Sequence, residues 1–343
     1  MPCTGGCSRQ RARWRPAIGD DRRPATTAEA GFGSALRGAI ASLPSGLRTR
    51  FAPAPTGYLH LGHVANALVV WGVARATSGQ VILRVEDHDL QRCRPEFERA
   101  SLDDLEALGF APDEPSLSRL RAAGPSPYRQ SDNGPAYESA VADLDARGLV
   151  YACDCTRTTF AAWAAERGSP WAGPGCPGGC ASRGIPRDES GVAWRVALGV
   201  GNEAWIDLVS GAQSGPPAAG GDLPIRDRHG NWSYALCVVV DDMRHAIDLV
   251  IRGQDLLDAT AGQVRLARLL GRTEPPRFLH HPLIRRPDGR KLSKADGSTG
   301  VRDLLASGVE PARLRASAAR AIGAAWLSAA DGTTTAPASG EAG

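Results

Sequence analysis

Short apolar runs alternate along the chain with stretches in which apolar residues recur at helical spacing. Residues 48–57 indicate a short strand that runs into a turn set by two prolines and a glycine. From 59 to 77 the helical spacing predicts a helix, and 81–85 is a short apolar run typical of a buried strand. This strand–helix–strand order is the repeat of a doubly wound parallel sheet.

A second unit of the same kind lies later in the chain. Residues 247–251 indicate a strand, and a helix is predicted from about 258 to 270. Further helices are predicted over 96–108 and 134–147 and a strand over 193–198, whereas 232–240 fits either a strand or a helix. We therefore predict an α/β protein built on a doubly wound parallel sheet of the Rossmann type.

Changes in composition divide the chain into segments. Residues 1–46 are rich in arginine and small residues, and we expect a disordered extension there, with a basic RNA-contacting arm as the alternative. Residues 151–187 change abruptly to cysteine, glycine, proline and tryptophan. They predict an insertion between a first half of the core at 47–150 and a second half at 188–310. A short helix and a flexible tail are expected over 311–343.

Bulk properties exclude some classes of protein. The net charge of +3 offers no general polycation for nucleic acid, so any basic surface must be local. No apolar run is long enough for a transmembrane helix, and the N-terminus lacks the apolar stretch of a signal peptide. We therefore expect a cytoplasmic protein with no membrane partner, whose eight cysteines are thiols or metal ligands.

His60-Leu-Gly-His63 stands where a predicted strand leads into a helix. Two imidazoles at this spacing lie on one face of a first helical turn, and Gly62 between them lets a flat ligand such as adenine approach the backbone. A helix N-terminus also offers N–H groups and a positive dipole to phosphate. Alone, such a pair would be two histidines on a helix surface, but the Pro-Ala-Pro-Thr-Gly turn before it favours a nucleotide site.

Lys291-Leu-Ser-Lys294 follows a Pro-Asp-Gly turn and precedes a second glycine. Two ammonium groups on such a loop can reach a triphosphate and stabilise the charge that grows on a leaving pyrophosphate. By itself the motif is much more typical of a solvated surface loop.

Together these motifs resemble the signatures of class I aminoacyl-tRNA synthetases. His60–His63 is similar to the HIGH signature and Lys291–Ala295 to the KMSKS signature. Four further stretches narrow the resemblance to the glutamyl/glutaminyl branch, at 50–57, 84–89, 239–242 and 250–257. The resemblance implies activation of an amino acid by ATP with Mg²⁺. It makes His60, His63, Lys291 and Lys294 the catalytic residues, and His60, Gly62, His63 and Lys294 the ATP-binding residues.

The same resemblance implies a glutamate pocket. Glutamate carries two carboxylates and an ammonium, so its pocket needs fixed cations and at least one anion. The matching positions are Arg50, Ala52, Ala54, Glu86, Tyr234 and Arg252. Among them the arginines would hold carboxylate and Glu86 the ammonium. Two alternatives stay open, since Tyr234 could be a core aromatic residue and Glu86 a strand-end ion pair with Arg84.

Four cysteines form two close pairs, Cys153-x-Cys155 and Cys176-x-x-x-Cys180. Four thiolates in this arrangement can hold a structural zinc ion tetrahedrally, and a metal would order a loop that has little core of its own. The synthetase branch carries a small zinc-binding insertion at this place, with a tyrosine where Cys176 stands here. We predict one structural zinc per chain, with unliganded thiols as the alternative.

The stretch after Lys294 bears on the acceptor. About 50 residues follow, too few for a large tRNA-reading domain. In this the chain resembles stand-alone catalytic cores that activate glutamate and esterify it to queuosine at the wobble position of tRNA(Asp). We expect a monomeric enzyme with ATP, L-glutamate and queuosine-modified tRNA(Asp) as partners. The alternatives are a truncated glutamyl-tRNA ligase that charges a tRNA 3′ end, and an inactive paralogue that acts as an RNA-binding module.

Overall fold

The computed structural model describes residues 27–168, 175–176, 179–284 and 300–329 of the chain. Its α-helices are α1 (Thr27–Ala41), α2 (Leu61–Ala76), α3 (Pro95–Ala107), α4 (Leu117–Arg121), α5 (Gly134–Ala146), α6 (Arg157–Arg167), α7 (Tyr234–Arg244), α8 (Thr260–Leu269), α9 (Val301–Ala306) and α10 (Pro311–Ala321). Its strands are β1 (Arg48–Phe51), β2 (Gln80–Leu83), β3 (Val150–Cys153), β4 (Ala193–Val196), β5 (Glu203–Asp207), β6 (Gly211–Gly215), β7 (Leu223–Arg226), β8 (Leu249–Gly253) and β9 (Arg277–His281). Short 3-10 turns lie at Gln130–Asn133, Gln254–Ala259 and Ala325–Ala329.

The main sheet has six strands in the order β2-β1-β8-β9-β5-β6. Neighbouring strands are parallel from β2 to β5, and β6 pairs antiparallel with β5 at the edge. Helix α2 connects β1 to β2 and helix α8 connects β8 to β9, which confirms the predicted α/β fold with a doubly wound parallel sheet. Strands β1 and β8 are adjacent while their connections lead to opposite sides, and ligands of open α/β sheets bind at such a switch point.

Helix α2 runs through the largest apolar cluster among the described residues. Most of its residues are buried, and α10 and the last 3-10 turn pack across it. The contact is close at Gly72, where an added Cβ atom would lie 2.4 Å from Cδ2 of Leu327. Thr77 caps the C-terminus of the helix, and its hydroxyl donates to the carbonyl of Val73 at 3.0 Å. This packing fixes the helix whose N-terminus carries the two motif histidines.

Residues 27–41 form helix α1, so the disorder expected for residues 1–46 is not found in this part. Phe32 and Leu36 on this helix are buried in the main core. The helix lies so close to the C-terminal region that a Cβ atom at Gly33 would lie 2.0 Å from the carbonyl oxygen of Gly323. The indole N–H of Trp326 also donates to the carbonyl of Gly33. Among alanines and glycines the sparse apolar face of this helix gives only a weak sequence signal.

A second, three-stranded antiparallel sheet has the order β3-β4-β7. Strand β3 opens the predicted insertion, but its partner strands lie beyond residue 187, so the small sheet continues past the expected boundary. Residues 234–240 of the ambiguous run belong to helix α7, and the Ser233 hydroxyl caps its N-terminus by accepting from the N–H of Leu236. None of the helices described here combines the length and apolar character that a membrane crossing requires.

Candidate active site

Five of the residues singled out from the sequence lie near the carboxyl ends of the parallel strands. Arg50 lies on β1, Glu86 follows β2, and Arg252 lies on β8. His60 precedes the first turn of α2, and Tyr234 opens α7. Residues widely separated in sequence therefore meet at the switch point between β1 and β8.

The two motif histidines cap helix α2 reciprocally. Nδ1 of His60 accepts from the N–H of Gly62 at 3.1 Å, and the N–H of His60 donates to Nδ1 of His63 at 3.0 Å. Because both Nδ1 atoms accept, each neutral ring carries its hydrogen on Nε2 and presents that group as a donor. The rings lie 4.0 Å apart between centroids. Two neighbouring N–H donors at a helix N-terminus suit a phosphate ligand.

Gly62 makes room for a side chain of the motif itself. A Cβ atom there would lie 2.9 Å from Cε1 of His60, so a larger residue would displace the imidazole. Besides the room that Gly62 is expected to leave for a flat ligand, the close approach of His60 is a second reason for a glycine at this position.

Arg50 is buried and is held on one side only. Its Nε donates to Asp242 at 3.1 Å and its Nη1 to the carbonyl of Ile251 at 3.1 Å. Its Nη2 has no hydrogen-bond partner within the part of the chain that the structure describes. This guanidinium therefore keeps donors for a carboxylate ligand.

Arg84 is fully buried behind the pocket. It donates to Asp242 through Nη1 at 2.8 Å and to Oε1 of Glu86 through Nη2 at 3.1 Å. Burial opposes the charge of Arg84, but the carboxylates of Asp242, Glu86 and Asp241 outweigh it and raise its pKa above the ordinary value. Burial likewise opposes ionisation of Asp242, yet the two arginines hold its pKa below the usual range.

Glu86 takes part in the ion pair that was one alternative for it. That pair uses only Oε1, and Oε2 accepts no hydrogen bond from the residues described. The ion pair and a ligand role are therefore compatible, because the pair orients the carboxylate and leaves one oxygen for an ammonium.

Arg252 is a buried cation whose direct partners are all neutral. Its Nε donates to Nε2 of His280 at 3.0 Å, and its Nη2 donates to the Thr260 hydroxyl at 2.8 Å. Its remaining bonds reach the side chain of Gln263 and the carbonyl of Leu256. No carboxylate in the described ranges forms an ion pair with it. Burial lowers the pKa of Arg252 from its ordinary value, and the nearby Tyr234 hydroxyl opposes part of this effect.

The remaining pocket positions frame these charges. Burial raises the pKa of Tyr234, so its hydroxyl stays protonated. Ala52 and Ala54 are half-buried in the loop after β1, and the carbonyl of Pro53 between them accepts from the N–H of Glu86 at 3.2 Å. Lys291 and Lys294 lie outside the described residues.

The four cysteines come together as one cluster. The Sγ atoms of Cys153, Cys155, Cys176 and Cys180 all lie within 4.8 Å of one another, and all four are unbridged thiols. The separations from Cys155 are 3.9 Å to Cys176 and 3.4 Å to Cys180. A tetrahedron with Zn–S bonds of about 2.3 Å has edges of about 3.8 Å, so the cluster fits a tetrathiolate metal ion. Arg183 approaches Sγ of Cys180 at 3.7 Å and would offset part of its negative charge.

Several residues of this site have no role assigned from the sequence alone. Asp242 belongs to a motif at 239–242 that carries the resemblance, and its signal is a pair of carboxylates within an otherwise apolar helix. Arg84 gives a weaker signal as a charge inside a buried strand. His280 and Asp207 give none, because their contacts follow from the order of the strands.

A family model covers most of the chain. Residues 46–172 and 188–321 match the class I tRNA synthetases (E and Q), catalytic domain. The chain belongs to this family, in agreement with its parallel sheet and its histidine motif at the first helix of the nucleotide fold.

Individual relatives narrow the family further. A glutamyl-Q tRNA(Asp) synthetase of Symbiobacterium thermophilum is 40% identical over 271 residues, covering 76% of this chain and 82% of that protein. One of Rhodobacter capsulatus is 37% identical and covers 78% of this chain and 98% of that protein. Within the family, the chain therefore groups with the glutamyl-Q tRNA(Asp) synthetases.

A solved structure shows the relation to a longer enzyme. A glutamate tRNA ligase from Elizabethkingia meningosepticum, determined in complex with its amino acid, matches with a TM-score of 0.61 at 29% identity. The match covers 75% of this chain and only 57% of the ligase. The chain thus spans a little over half of that ligase.

Proposed function

We propose that this protein activates L-glutamate with ATP and transfers it to queuosine in tRNA(Asp). The observation that carries the glutamate assignment is Arg252, a buried guanidinium without an ion-pair partner among the described residues. An unpaired buried charge is unfavourable, so a substrate anion is its natural counterion.

Glutamate has two carboxylates, and the chemistry decides which one meets the arginines. The α-carboxylate must attack phosphorus, so it has to remain a nucleophile. We therefore assign the side-chain carboxylate to Arg50 and Arg252, and the α-ammonium to Oε2 of Glu86. A pocket with two cations and one anion also predicts weak binding of amino acids whose side chains are uncharged.

Adenylate formation then follows from positioning and charge stabilisation. An oxygen of the α-carboxylate attacks the α-phosphorus of ATP, and the bond to the bridging oxygen of pyrophosphate breaks in line. Nε2–H groups of His60 and His63 donate to the phosphates, and Lys291 with Lys294 stabilises the leaving pyrophosphate. Mg²⁺ that accompanies ATP supplies further positive charge. No covalent intermediate with the protein is needed.

Transfer completes the reaction on the RNA. A hydroxyl of the queuosine cyclopentene ring attacks the carbonyl carbon of the adenylate, its proton is released, and AMP leaves. The similarity to glutamyl-Q tRNA(Asp) synthetases over most of their length supports this acceptor. We also propose a cytoplasmic enzyme that acts as a monomer.

We also propose that the four-cysteine cluster holds one structural zinc ion. Thiolates are the ligands that zinc prefers, and four protein ligands leave no open position for catalysis. Cys153, Cys155, Cys176 and Cys180 would then tie the insertion to strand β3.

The decisive experiment separates the two half-reactions. Glutamate-dependent ATP–pyrophosphate exchange tests activation, and labelled glutamate is then offered with tRNA(Asp) containing queuosine, tRNA(Asp) with guanosine instead, and tRNA(Glu). We expect exchange without any tRNA and labelling of the queuosine form alone. Charging of tRNA(Glu) would identify a truncated ligase instead, and ATP binding without exchange would identify an inactive module.

A further inference from the structure

Arg252, His280 and Asp207 are joined by a buried relay of hydrogen bonds. Arg252 and His280 are register partners on the neighbouring strands β8 and β9, so their side chains lie on the same face of the sheet. Asp207, at the end of β5, is completely buried. Its Oδ2 accepts from Nδ1 of His280 at 2.8 Å and from the N–H of His280 at 3.1 Å.

The other oxygen of Asp207 is also satisfied. Oδ1 accepts from the backbone N–H groups of Val209 at 3.0 Å and Ser210 at 2.8 Å. Burial works against ionisation, but these donors and His280 together hold the pKa of Asp207 below its usual range. The group is therefore a carboxylate that only accepts hydrogen bonds.

The partners fix the protonation of the imidazole. A guanidinium has only donors, so Nε2 of His280 must accept from Nε–H of Arg252. A carboxylate has only acceptors, so Nδ1 must carry the ring hydrogen. His280 is therefore neutral with its hydrogen on Nδ1, and the relay runs in one direction from Arg252 to Asp207.

His280 and three other hydrogen-bond partners together fix the plane of the Arg252 guanidinium. Four hydrogen bonds, to His280, Gln263, Leu256 and Thr260, engage four of the five N–H hydrogens of Arg252. Phe278 lies against the same group, 5.3 Å from ring centroid to guanidinium carbon. Little rotational freedom remains, so the direction offered to a ligand is set by these contacts.

We propose that Asp207 and His280 are positioning residues that aim Arg252 at the side-chain carboxylate of the amino-acid substrate. They touch no substrate themselves and act through the orientation of Arg252. Because His280 is a neutral acceptor, the charge of Arg252 remains available to the ligand. A carboxylate at position 280 would instead neutralise the charge of Arg252. The inference rests on the proposed glutamate site.

Four substitutions test the relay. His280→Leu removes the hydrogen bonds of the imidazole to Asp207 and Arg252, and its 3.3 Å contact with the Thr260 hydroxyl, at similar volume. His280→Gln offers an amide that can donate to Asp207 and accept from Arg252. Asp207→Asn keeps the shape but turns an amide donor toward Nδ1 of His280. The ring hydrogen then moves to Nε2, where it faces the N–H donor of Arg252 and the hydrogen bond between them is lost. His281→Leu is the matched control, because His281 is a buried neighbour on the same strand that bonds only to the carbonyl of Pro282 in the described part of the protein.

The readout is the split between KM and kcat in ATP–pyrophosphate exchange. We expect His280→Leu and Asp207→Asn to raise KM for glutamate roughly 10- to 100-fold, as for the loss of a hydrogen bond to a charged group. The KM for ATP should change less than about twofold, and kcat less than about threefold, because the lost interaction serves binding. His280→Gln and His281→Leu should stay within about threefold of the wild-type KM for glutamate.

A double variant separates positioning from a merely structural role. In an Arg252→Lys background the relay has lost its target, so adding His280→Leu should change KM for glutamate by less than about threefold. A full additional effect there would overturn the proposal, and so would equal rises in KM for glutamate and ATP in the single variants. If His280→Leu does not fold, Asp207→Asn with the Gln variant gives the same test. Absence of exchange in the wild type would instead refute the proposed function.

Discussion

Replacing Asp242 by asparagine probes the buried charge network behind the pocket. The carboxylate is 7% exposed and bonds to Nε of Arg50 at 3.1 Å and Nη1 of Arg84 at 2.8 Å. The substitution preserves shape but leaves two buried guanidiniums without this counterion. Removing one partner of a buried ion pair costs about 3–5 kcal/mol. At about 2–4 °C per kcal/mol, Tm should fall by roughly 6–20 °C.

The pH dependence gives the network its own signature. The pKa of Asp242 in the folded protein is held below its usual range, so its stabilising effect is present above about pH 4 and is lost as pH falls through the folded pKa. The difference in Tm between wild type and Asp242→Asn should therefore be constant from pH 8 to 5 and narrow only below about pH 4.

Thermal unfolding followed by circular dichroism measures both effects. Asp103→Asn is the control, because Asp103 bonds to Arg121 at 2.8 Å but its side chain is 69% exposed. Exposed pairs contribute about 0–1 kcal/mol, so this variant should unfold within about 2 °C of the wild type. If Asp242→Asn loses no more stability than the control, the buried network does not stabilise the fold as argued.

Three further predictions concern other parts of the protein. Cys155→Ser should reduce bound zinc, measured by elemental analysis, from about one equivalent to less than about half, whereas Cys93→Ser should leave it unchanged. Burial raises the pKa of Asp104 to about 7, so stability is lost as pH rises from about 4 to 7. The free energy of unfolding of Asp104→Asn should therefore gain on that of the wild type over that range, by up to about 4 kcal/mol, with a matching rise in relative Tm; a pH-independent difference would contradict this. Lys291 and Lys294 are the only lysines in the chain, so acetylation of both, verified by mass spectrometry, should abolish exchange unless ATP and glutamate protect them. An active doubly acetylated enzyme would refute their catalytic roles.

The sequence predicts the local elements of the core well, because helix and strand periodicity is a property of neighbouring residues. The helix over 59–77 and the helix over 96–108 agree with α2 and α3 within a few residues. The cluster of four cysteines is equally predictable, since two close pairs need only one long-range contact to form a cluster. Helix α1 escapes the prediction because alanines and glycines dilute its apolar face.

The charge network could not be predicted, because it depends on which strands become neighbours. Arg50 and Asp242 are 192 positions apart, and only the adjacency of β1 and β8 brings them together. The relay depends on an even less obvious feature. Strand β5 pairs with β9 although the chain between them passes through the small sheet, and this pairing brings Asp207 to His280.

The two arginines of the proposed glutamate pocket are stabilised in different ways. Arg50 pairs with Asp242, so its charge is largely compensated before any ligand arrives. Among the described residues, the direct hydrogen-bond partners of Arg252 are all neutral groups. Such an arrangement is unfavourable for a buried cation in the ligand-free protein. In the proposed function the side-chain carboxylate of glutamate supplies a counterion, so stability is exchanged for affinity at this position.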